Sequence, residues 1–86
     1  MNVIKWQVKA WKQLKKIGDR KLVKRIADAV MNLETFPECS NVKALMNHQY
    51  PYRLRVGSWR VFFSVVDGEI TIILIEEVKK RDENTY

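Results

Sequence analysis

Three arginines in the segment spanning residues 52–63, YRLRVGSWRVFF, could form an anion-binding site. The Gly-Ser pair inside the segment is a two-residue hairpin signal that suits a type II′ turn, and it would place Arg55 opposite Arg60 and Arg53 opposite Phe62. Opposed residues share a face of the sheet, and opposed like charges weaken it by roughly a few tenths of a kcal/mol. Guanidinium groups match phosphate oxygens bidentately, so the pattern predicts a preorganised site for phosphate.

An ordinary solvated sheet face is the alternative interpretation of these arginines. Arginines are common on such faces, and a different turn would move residues between faces. The cluster has no obvious acidic partner in the same strands, which favours the anion site. Phe62 could stack a nucleobase there or pack under the C-terminal tail.

The elements that must position these arginines follow from the apolar pattern. Residues 3–6 resemble a short strand, and apolar residues recur at helical spacing over residues 8–17 and 22–33. Gly18 ends the first helical pattern, and Asp19 is a plausible N-cap for the second helix. The two helices are expected to form an antiparallel hairpin with one joint apolar face.

Three strands are predicted to follow, over residues 52–56, 59–66 and 69–78. An Asp-Gly pair after the second of them favours a two-residue type I′ turn. Residues 38–49 show no period and are interpreted as a loop with a short turn near residues 42–45. The predicted fold is α+β: a short N-terminal strand, a two-helix hairpin and a three-strand antiparallel meander, with the helices packed on one sheet face.

The strand pairing predicts which side chains lie under the helices. Alternation along paired strands gives two faces. The predicted core face comprises Leu54, Val56, Trp59, Val61, Phe63, Val65, Ile70, Ile72 and Leu74. The opposite face would combine the arginines and Phe62 with Thr71, Ile73 and Ile75.

Length and charge limit the class of protein. A chain of 86 residues is expected to form one domain over residues 1–86. Its net charge of +6 suits a polyanionic partner such as nucleic acid or an acidic protein. Lys9, Lys12 and Lys16 fall on the polar side of the first helix, where they would contact nucleic-acid phosphates or simply be solvated.

The remaining chemistry of the chain excludes several kinds of site. Cys39 is the only cysteine, which rules out an intrachain disulfide, a zinc knuckle and a CxxC pair and suits a reducing compartment. No apolar run is long enough to span a membrane, so a soluble, cytoplasmic protein is expected. Carboxylates and histidines do not cluster at ligand spacing, so no metal or other cofactor is expected.

A family resemblance rests on residues 52–75, on Lys43-Ala44-Leu45 before them, and on Lys80-Arg81 and Tyr86 after them. In these features the chain resembles the RelE/ParE superfamily of toxins from bacterial type II toxin–antitoxin modules, and most of all its RelE mRNA interferase branch. The resemblance implies a cytoplasmic toxin held inactive by a cognate antitoxin. RelE-like toxins cut mRNA in the A site of the 70S ribosome, whereas ParE-like toxins inhibit DNA gyrase without cutting RNA. A degenerate toxin that only binds its antitoxin is the third possibility.

The RelE resemblance also implies a catalytic set. Arg53 and Arg55 match its second-strand basic pair and Arg60 its third-strand arginine. Arg81 matches the basic residue near the C-terminus of RelE toxins, and Lys80 is the alternative match and a predicted RNA-binding residue. Tyr86 matches the C-terminal tyrosine. Arg60 and Arg81 would clamp the phosphate while the 2′-hydroxyl attacks it, and Tyr86 would stack on a base or position the nucleophile.

The chain departs from the RelE pattern in its proton-transfer groups. The second-strand positions that are lysines in the best-known RelE toxins are arginines here, and arginine is a poor general base because its pKa exceeds ~12. The general base is therefore unassigned, with Lys80, Glu77, Glu83 and His48 as fallback candidates. His48 is interpreted as a surface histidine without a role, and Cys39 as an idle thiol. Tyr86 is the last residue, and its spacing from the late arginine differs slightly from the usual one.

Overall fold

The computed structural model describes residues 1–81 as two helices packed with a five-stranded mixed sheet. The sheet order is β1-β5-β4-β3-β2, with β1 parallel to β5 and the other neighbours antiparallel. This arrangement confirms the α+β class. In chain order the elements are β1 (Val3–Trp6), α1 (Val8–Lys16), α2 (Arg20–Met31), a 3-10 turn (Asn32–Thr35), β2 (Val42–Ala44), β3 (Tyr52–Val56), β4 (Trp59–Val66) and β5 (Ile72–Lys80).

Both helices bury a narrow apolar stripe against the sheet. Ala10 and Leu14 of α1 and Ile26 and Val30 of α2 are fully or almost fully buried, and each pair is one helical turn apart. Gly18 follows α1 with φ of 77°, the left-handed conformation that ends many helices and that glycine adopts without a Cβ clash. The helices therefore begin and end close to where the sequence pattern predicts.

Asp19 is the N-cap of α2, as predicted. Its side-chain carboxylate accepts hydrogen bonds from the backbone N–H groups of Lys21 and Leu22 at 3.0 and 3.2 Å. These donors have no carbonyl partner inside the helix, so the aspartate satisfies two groups that would otherwise depend on water.

The hairpin of β3 and β4 has the predicted register. Val56 pairs with Trp59, Arg55 with Arg60, and the ladder continues in step to the far end of β3. Gly57 has φ of 58°, which both primed hairpin turns require at their first loop position. The three arginines of this hairpin therefore lie on the same side of the sheet.

The connection between β4 and β5 is longer than the two-residue turn predicted from its Asp-Gly pair, so that prediction is wrong. β5 begins at Ile72, and Val66 pairs with Ile72 instead of the predicted Glu69. The pairing is shifted by an odd number of residues. An odd shift moves every side chain of a strand to the other face of the sheet.

The shift corrects the predicted faces of β5. Ile73 and Ile75 are fully buried in the core, whereas Ile70 lies outside the strand and is 61% exposed. The prediction that Ile70, Ile72 and Leu74 form the core face, with Ile73 and Ile75 beside the arginines, is therefore wrong. The half-buried Ile72 and Leu74 consequently take the places on the arginine side that were predicted for Ile73 and Ile75.

β2 is a strand that the sequence pattern missed, inside the stretch predicted to be a loop. It is three residues long and pairs antiparallel with β3. So short a strand shows no alternation of its own, and it forms because β3 offers a free edge. Its pairing places Lys43 opposite Arg53, on the side of the sheet that carries the arginines.

Replacing Asp19 with alanine is expected to lower the free energy of unfolding by about 1 kcal/mol, because two N–H groups of α2 lose their acceptor. Urea denaturation followed by circular dichroism measures the change. Asp28→Ala is the matched control, since Asp28 is exposed within the same helix. Equal stabilities of the two variants would contradict the cap.

Candidate functional site

The side of the sheet away from the helices carries two rows of mostly basic residues that run across neighbouring strands. The first row runs from Lys43 through Arg53 to Phe62, and the second runs from Arg55 through Arg60 to Lys79. Paired residues in neighbouring strands share a face, so both rows belong to one surface. We call this surface the arginine face: Lys43, Arg53, Arg55, Arg60, Phe62 and Lys79.

The exposure of the three arginines differs along the arginine face. Arg55 is exposed, whereas Arg53 and Arg60 are half-buried and take part in further contacts. Guanidinium groups remain charged at any ordinary pH, so the face carries a fixed positive charge. A phosphate group is the ligand chemistry that such a surface fits best.

A β-bulge between Phe62 and Phe63 decides where the two glutamates of β5 lie. Phe63 pairs with Ile75, but Phe62 pairs with Glu77, which leaves Glu76 as the extra residue. Without the bulge, strict alternation from the buried Ile75 would point Glu77 into the core. The bulge instead brings Glu77 opposite Phe62, onto the side that carries the arginines.

Glu77 is held at the border of the arginine face by several neighbours. It is 7% exposed, and its carboxylate accepts hydrogen bonds from the Tyr50 hydroxyl and, at 3.4 Å, from the Gln13 amide. The ammonium groups of Lys9 and Lys79 lie 3.5 and 4.0 Å from the same oxygen. The charge of Glu77 is thus compensated locally.

These contacts set the ionisation of Glu77 and Tyr50. Burial alone raises the pKa of Glu77, but the hydrogen bonds from Tyr50 and Gln13 and the nearby lysine charges lower it below its ordinary value. Burial, together with the bond to Glu77, raises the pKa of Tyr50. Near neutral pH Glu77 is therefore an ionised carboxylate fixed by its neighbours, and Tyr50 is a neutral hydrogen-bond donor. Neither group is well suited to accept a proton from a substrate.

A side chain of α1 continues the hydrogen bonding along the edge of β5 beyond the end of β1. The ladder from β1 ends where Gln7 N–H donates to the carbonyl of Ile75 at 2.9 Å. Beyond that point the Gln13 side chain accepts a hydrogen bond from the Val78 N–H at 2.7 Å. This bond satisfies a backbone donor that the end of β1 leaves unpaired. It also fixes α1 against the border of the arginine face.

Three rings from the β2–β3 loop and β4 cluster at the same place. The ring centroids of His48 and Phe62 lie 5.0 Å apart with planes 15° apart, and Tyr50 lies 5.5 Å from Phe62 and 6.0 Å from His48. We call His48, Tyr50 and Phe62 the aromatic triad. His48, interpreted from sequence as a surface histidine without a role, is therefore part of the candidate site.

The other predicted site residues lie around this centre. Lys9 contacts Glu77, and Lys12 and Lys16 follow it at helical spacing along α1 with exposed side chains. Lys80 pairs with Trp59, one position beyond the Arg60–Lys79 pair. Its side chain therefore lies on the side of the sheet opposite to the arginine face.

The end of the predicted set lies at the limit of the described structure. Arg81 donates its backbone N–H to the carbonyl of Ser58 at 2.7 Å, which places it beside the β3–β4 turn. Tyr86 and the fallback candidate Glu83 lie outside the described residues 1–81.

Cys39 stands apart from this surface. It is half-buried and packs against the apolar core, and burial raises the pKa of its thiol. A raised pKa favours the protonated thiol, which is a weak nucleophile. Its interpretation as an idle thiol stays a prediction.

Metal ligands and membrane-spanning helices are two further features of residues 1–81 that bear on function. That part of the chain contains no group of three or more His, Cys, Asp or Glu side chains placed to hold a metal ion. None of its helices is long and apolar enough to cross a membrane.

Sequence reasoning missed four residues of the site: Lys43, Lys79, Gln13 and Tyr50. The first two need the β2–β3 and β4–β5 registers, which the sequence pattern did not give. Gln13 lies four residues after Lys9, on the same side of α1, and this helical spacing was the one available signal. Tyr50 lies in an aperiodic loop, and its role depends on the contacts of the folded chain.

Comparison with known proteins identifies the family. A family model described as the ParE toxin of type II toxin–antitoxin systems matches residues 4–85. The chain belongs to this family. Its resemblance to the RelE/ParE superfamily is thereby confirmed, and the chain is a toxin of the type II toxin–antitoxin class. No curated protein matches the chain.

Two solved structures share the fold of this toxin. The YoeB/ParE toxin from Agrobacterium tumefaciens superposes with a TM-score of 0.73 at 15% identity, covering 93% of this chain and 99% of that one. The toxin–antitoxin complex RelBE2 from Mycobacterium tuberculosis gives a TM-score of 0.73 at 17% identity, with 93% and 98% covered. At these identities the likeness establishes the fold.

Replacing Glu77 with glutamine is expected to make the free energy of unfolding less dependent on pH in the acid range. In the native toxin the pKa of Glu77 lies below its ordinary value of 4.5, so the ionised carboxylate stabilises the fold above that value. The contribution is lost as pH falls through the lowered native pKa. The difference in free energy of unfolding between wild type and Glu77→Gln should therefore shrink from about pH 7 to about pH 3.

Urea denaturation at a series of pH values measures this difference. Glu69→Gln is the matched control because Glu69 is exposed in the β4–β5 connection. A pH-independent difference for Glu77→Gln would contradict the lowered pKa.

Proposed function

We propose that this toxin is a ribosome-dependent endoribonuclease that cleaves mRNA in the ribosomal A site and inhibits translation. The observation that carries the proposal is the convergence of five cations, Lys43, Arg53, Arg55, Arg60 and Lys79, on one sheet face beside the aromatic triad. Fixed positive charge next to aromatic rings suits a single-stranded RNA, whose phosphates and unstacked bases need both.

The reaction would be an internal phosphoryl transfer. The 2′-oxygen of one nucleotide attacks its own 3′-phosphate, the bond from phosphorus to the 5′-oxygen of the next nucleotide breaks, and a 2′,3′-cyclic phosphate forms. The proton of the 2′-hydroxyl leaves, and the 5′-oxygen gains one. Arg53, Arg55 and Arg60 are assigned to the phosphate, where guanidinium donors stabilise the charge that grows on its non-bridging oxygens.

The side chains of the arginine face and its border are better suited to stabilising negative charge than to transferring protons. The arginines stay protonated, and the pKa shifts of Glu77 and Tyr50 keep one ionised and the other neutral. Proton transfer is then left to the ribosome, to water or to the C-terminal residues, among which Tyr86 retains the role that the RelE resemblance implies. Dependence on the ribosome fits such a distribution of roles.

A cognate antitoxin is the proposed protein partner. The solved RelBE2 structure is a toxin–antitoxin complex, and its toxin shares this fold. The net charge of +6 on this chain suits an acidic partner segment. An antitoxin that neutralises the arginine face would block RNA and inactivate the toxin.

Replacing Arg55 with alanine is expected to lower mRNA cleavage by about 100-fold, because a transition-state donor to the phosphate is lost. Purified protein is incubated with a defined mRNA, with and without programmed 70S ribosomes, and cut sites are mapped by primer extension. Arg55 is exposed, so the urea midpoint should change little.

Arg20→Ala is the matched control for this experiment, because Arg20 is an exposed arginine at the start of α2. It should cleave like wild type. Ribosome-dependent cleavage that survives Arg55→Ala, with Arg53→Ala and Arg60→Ala also active, would overturn the role of the arginine face.

Inhibition of DNA gyrase is the second candidate function, favoured by the family model, which is described by ParE toxins. In this case the toxin would act by binding, without cutting RNA. The arginine face would then contact an acidic protein surface or DNA.

The two functions are separated by a gyrase supercoiling assay run beside the cleavage assay on the same preparation. The proposed endoribonuclease is expected to leave supercoiling unchanged at concentrations that cut ribosome-bound mRNA. Inhibited supercoiling with intact mRNA would reverse the assignment. Activity in neither assay from an antitoxin-free preparation that still binds added antitoxin would identify a degenerate toxin.

A further inference from the structure

His48 is the most exposed ring of the aromatic triad, beside the arginines. Phe62 is 7% exposed because His48 is stacked on it and Tyr50 packs against it. His48 itself is exposed. One face of its imidazole is covered by Phe62, so its outer face is the surface of the triad that a ligand can reach.

Two contacts fix the orientation of the His48 ring. Stacking on Phe62 sets the plane, and the backbone N–H of Tyr50 donates a hydrogen bond to Nδ1 at 3.0 Å. Because Nδ1 accepts this bond, the neutral ring carries its proton on Nε2. The ring therefore offers a flat face and an N–H donor.

This tautomer argues against a role for His48 as a general base. A base would need a free lone pair on Nε2, and forming it would move the proton to Nδ1 and break the bond to Tyr50. The contacts that hold His48 thus favour a binding role over proton transfer.

The position of the triad relates the ring to the phosphate site. Phe62 is paired directly with Arg53, and it lies two residues from Arg60 on the same side of β4. A nucleotide whose base lies on His48 would have its phosphate next to these guanidinium groups. Bases of single-stranded RNA commonly stack on aromatic side chains in this way.

We propose that the outer face of His48 is a stacking surface for one unpaired nucleobase of the RNA, with Phe62 and Tyr50 holding the ring in place. The inference rests on the proposed RNA-cleaving function and adds the subsite that binds a base. His48 is then a binding residue, and it takes part in no covalent step.

The test compares two non-cleavable oligonucleotides at low salt, where phosphate contacts are strongest. Both carry 2′-O-methyl groups, which block attack by the 2′-oxygen, but one bears bases and the other has the same backbone with abasic positions. Fluorescence anisotropy gives the dissociation constants. Wild type is expected to bind the base-bearing strand about 5- to 10-fold more tightly than the abasic strand.

Substitutions of His48 then separate stacking from other roles. His48→Ala should bind both strands equally, whereas His48→Phe, which keeps a flat ring and lacks nitrogens, should retain the preference. Gln49→Ala, in the adjacent exposed loop position, is the matched control and should resemble wild type. Thermal denaturation of each variant checks that it is folded, and His48→Phe still gives the answer if His48→Ala unfolds.

Each failure has its own meaning. Equal binding of the two strands by wild type, with binding still lost in Arg55→Ala, would overturn the stacking surface and leave the arginine face intact. Loss of the preference in a folded His48→Phe would show that the imidazole nitrogens are needed and would also overturn stacking. Binding of neither strand by wild type would contradict the proposed RNA-binding function together with this inference.

Discussion

The tight turn at Gly57 is the constraint on which the candidate site depends. Its positive φ allows a two-residue connection, and a connection of that length fixes the register of β3 against β4. The register opposes Arg55 to Arg60 at a cost of roughly a few tenths of a kcal/mol. On their other side the same strands bury Leu54, Val61 and Phe63 in the core, each worth about 1.5–3 kcal/mol, so the core easily maintains the arginine face.

The bulge in β4 and β5 gives the face its border. It turns Val78 into the core and Glu77 out of it, next to the lysines and the Gln13 amide that compensate its charge. Because α1 supplies both Gln13 and Lys9, the position of the helix and the electrostatics of the face are coupled.

The loop before β3 adds a different kind of chemistry to the same surface. It carries His48 and Tyr50 over Phe62, so that aromatic surface lies beside the fixed charges. Phosphate contacts by themselves position a nucleic acid, whereas a stacked base also fixes which nucleotide occupies the site. This combination of rings and charges is what the proposed RNA substrate would use.

Local patterns in the sequence were sufficient to predict the helices, the cap at Asp19 and the β3–β4 hairpin. The hairpin in turn predicts that the three arginines share a face. Each of these depends on residues close together along the chain, where helical spacing, capping and turn chemistry act directly. The family resemblance rested on the same local segment. The register of β5, by contrast, was misjudged from its Asp-Gly pair.

Only the tertiary structure decided the faces of β5, the short strand β2 and the positions of Glu77, Lys43 and His48. The longer β4–β5 connection and the bulge each shift the register by an odd number of residues, and each such shift exchanges the two faces without leaving a periodic signal. β2 exists because β3 offers a free edge, and His48 is placed by contacts with a ring fourteen residues further along the chain. The sequence by itself determined which charges gather on one hairpin; the packing of distant segments determined what lies beside them.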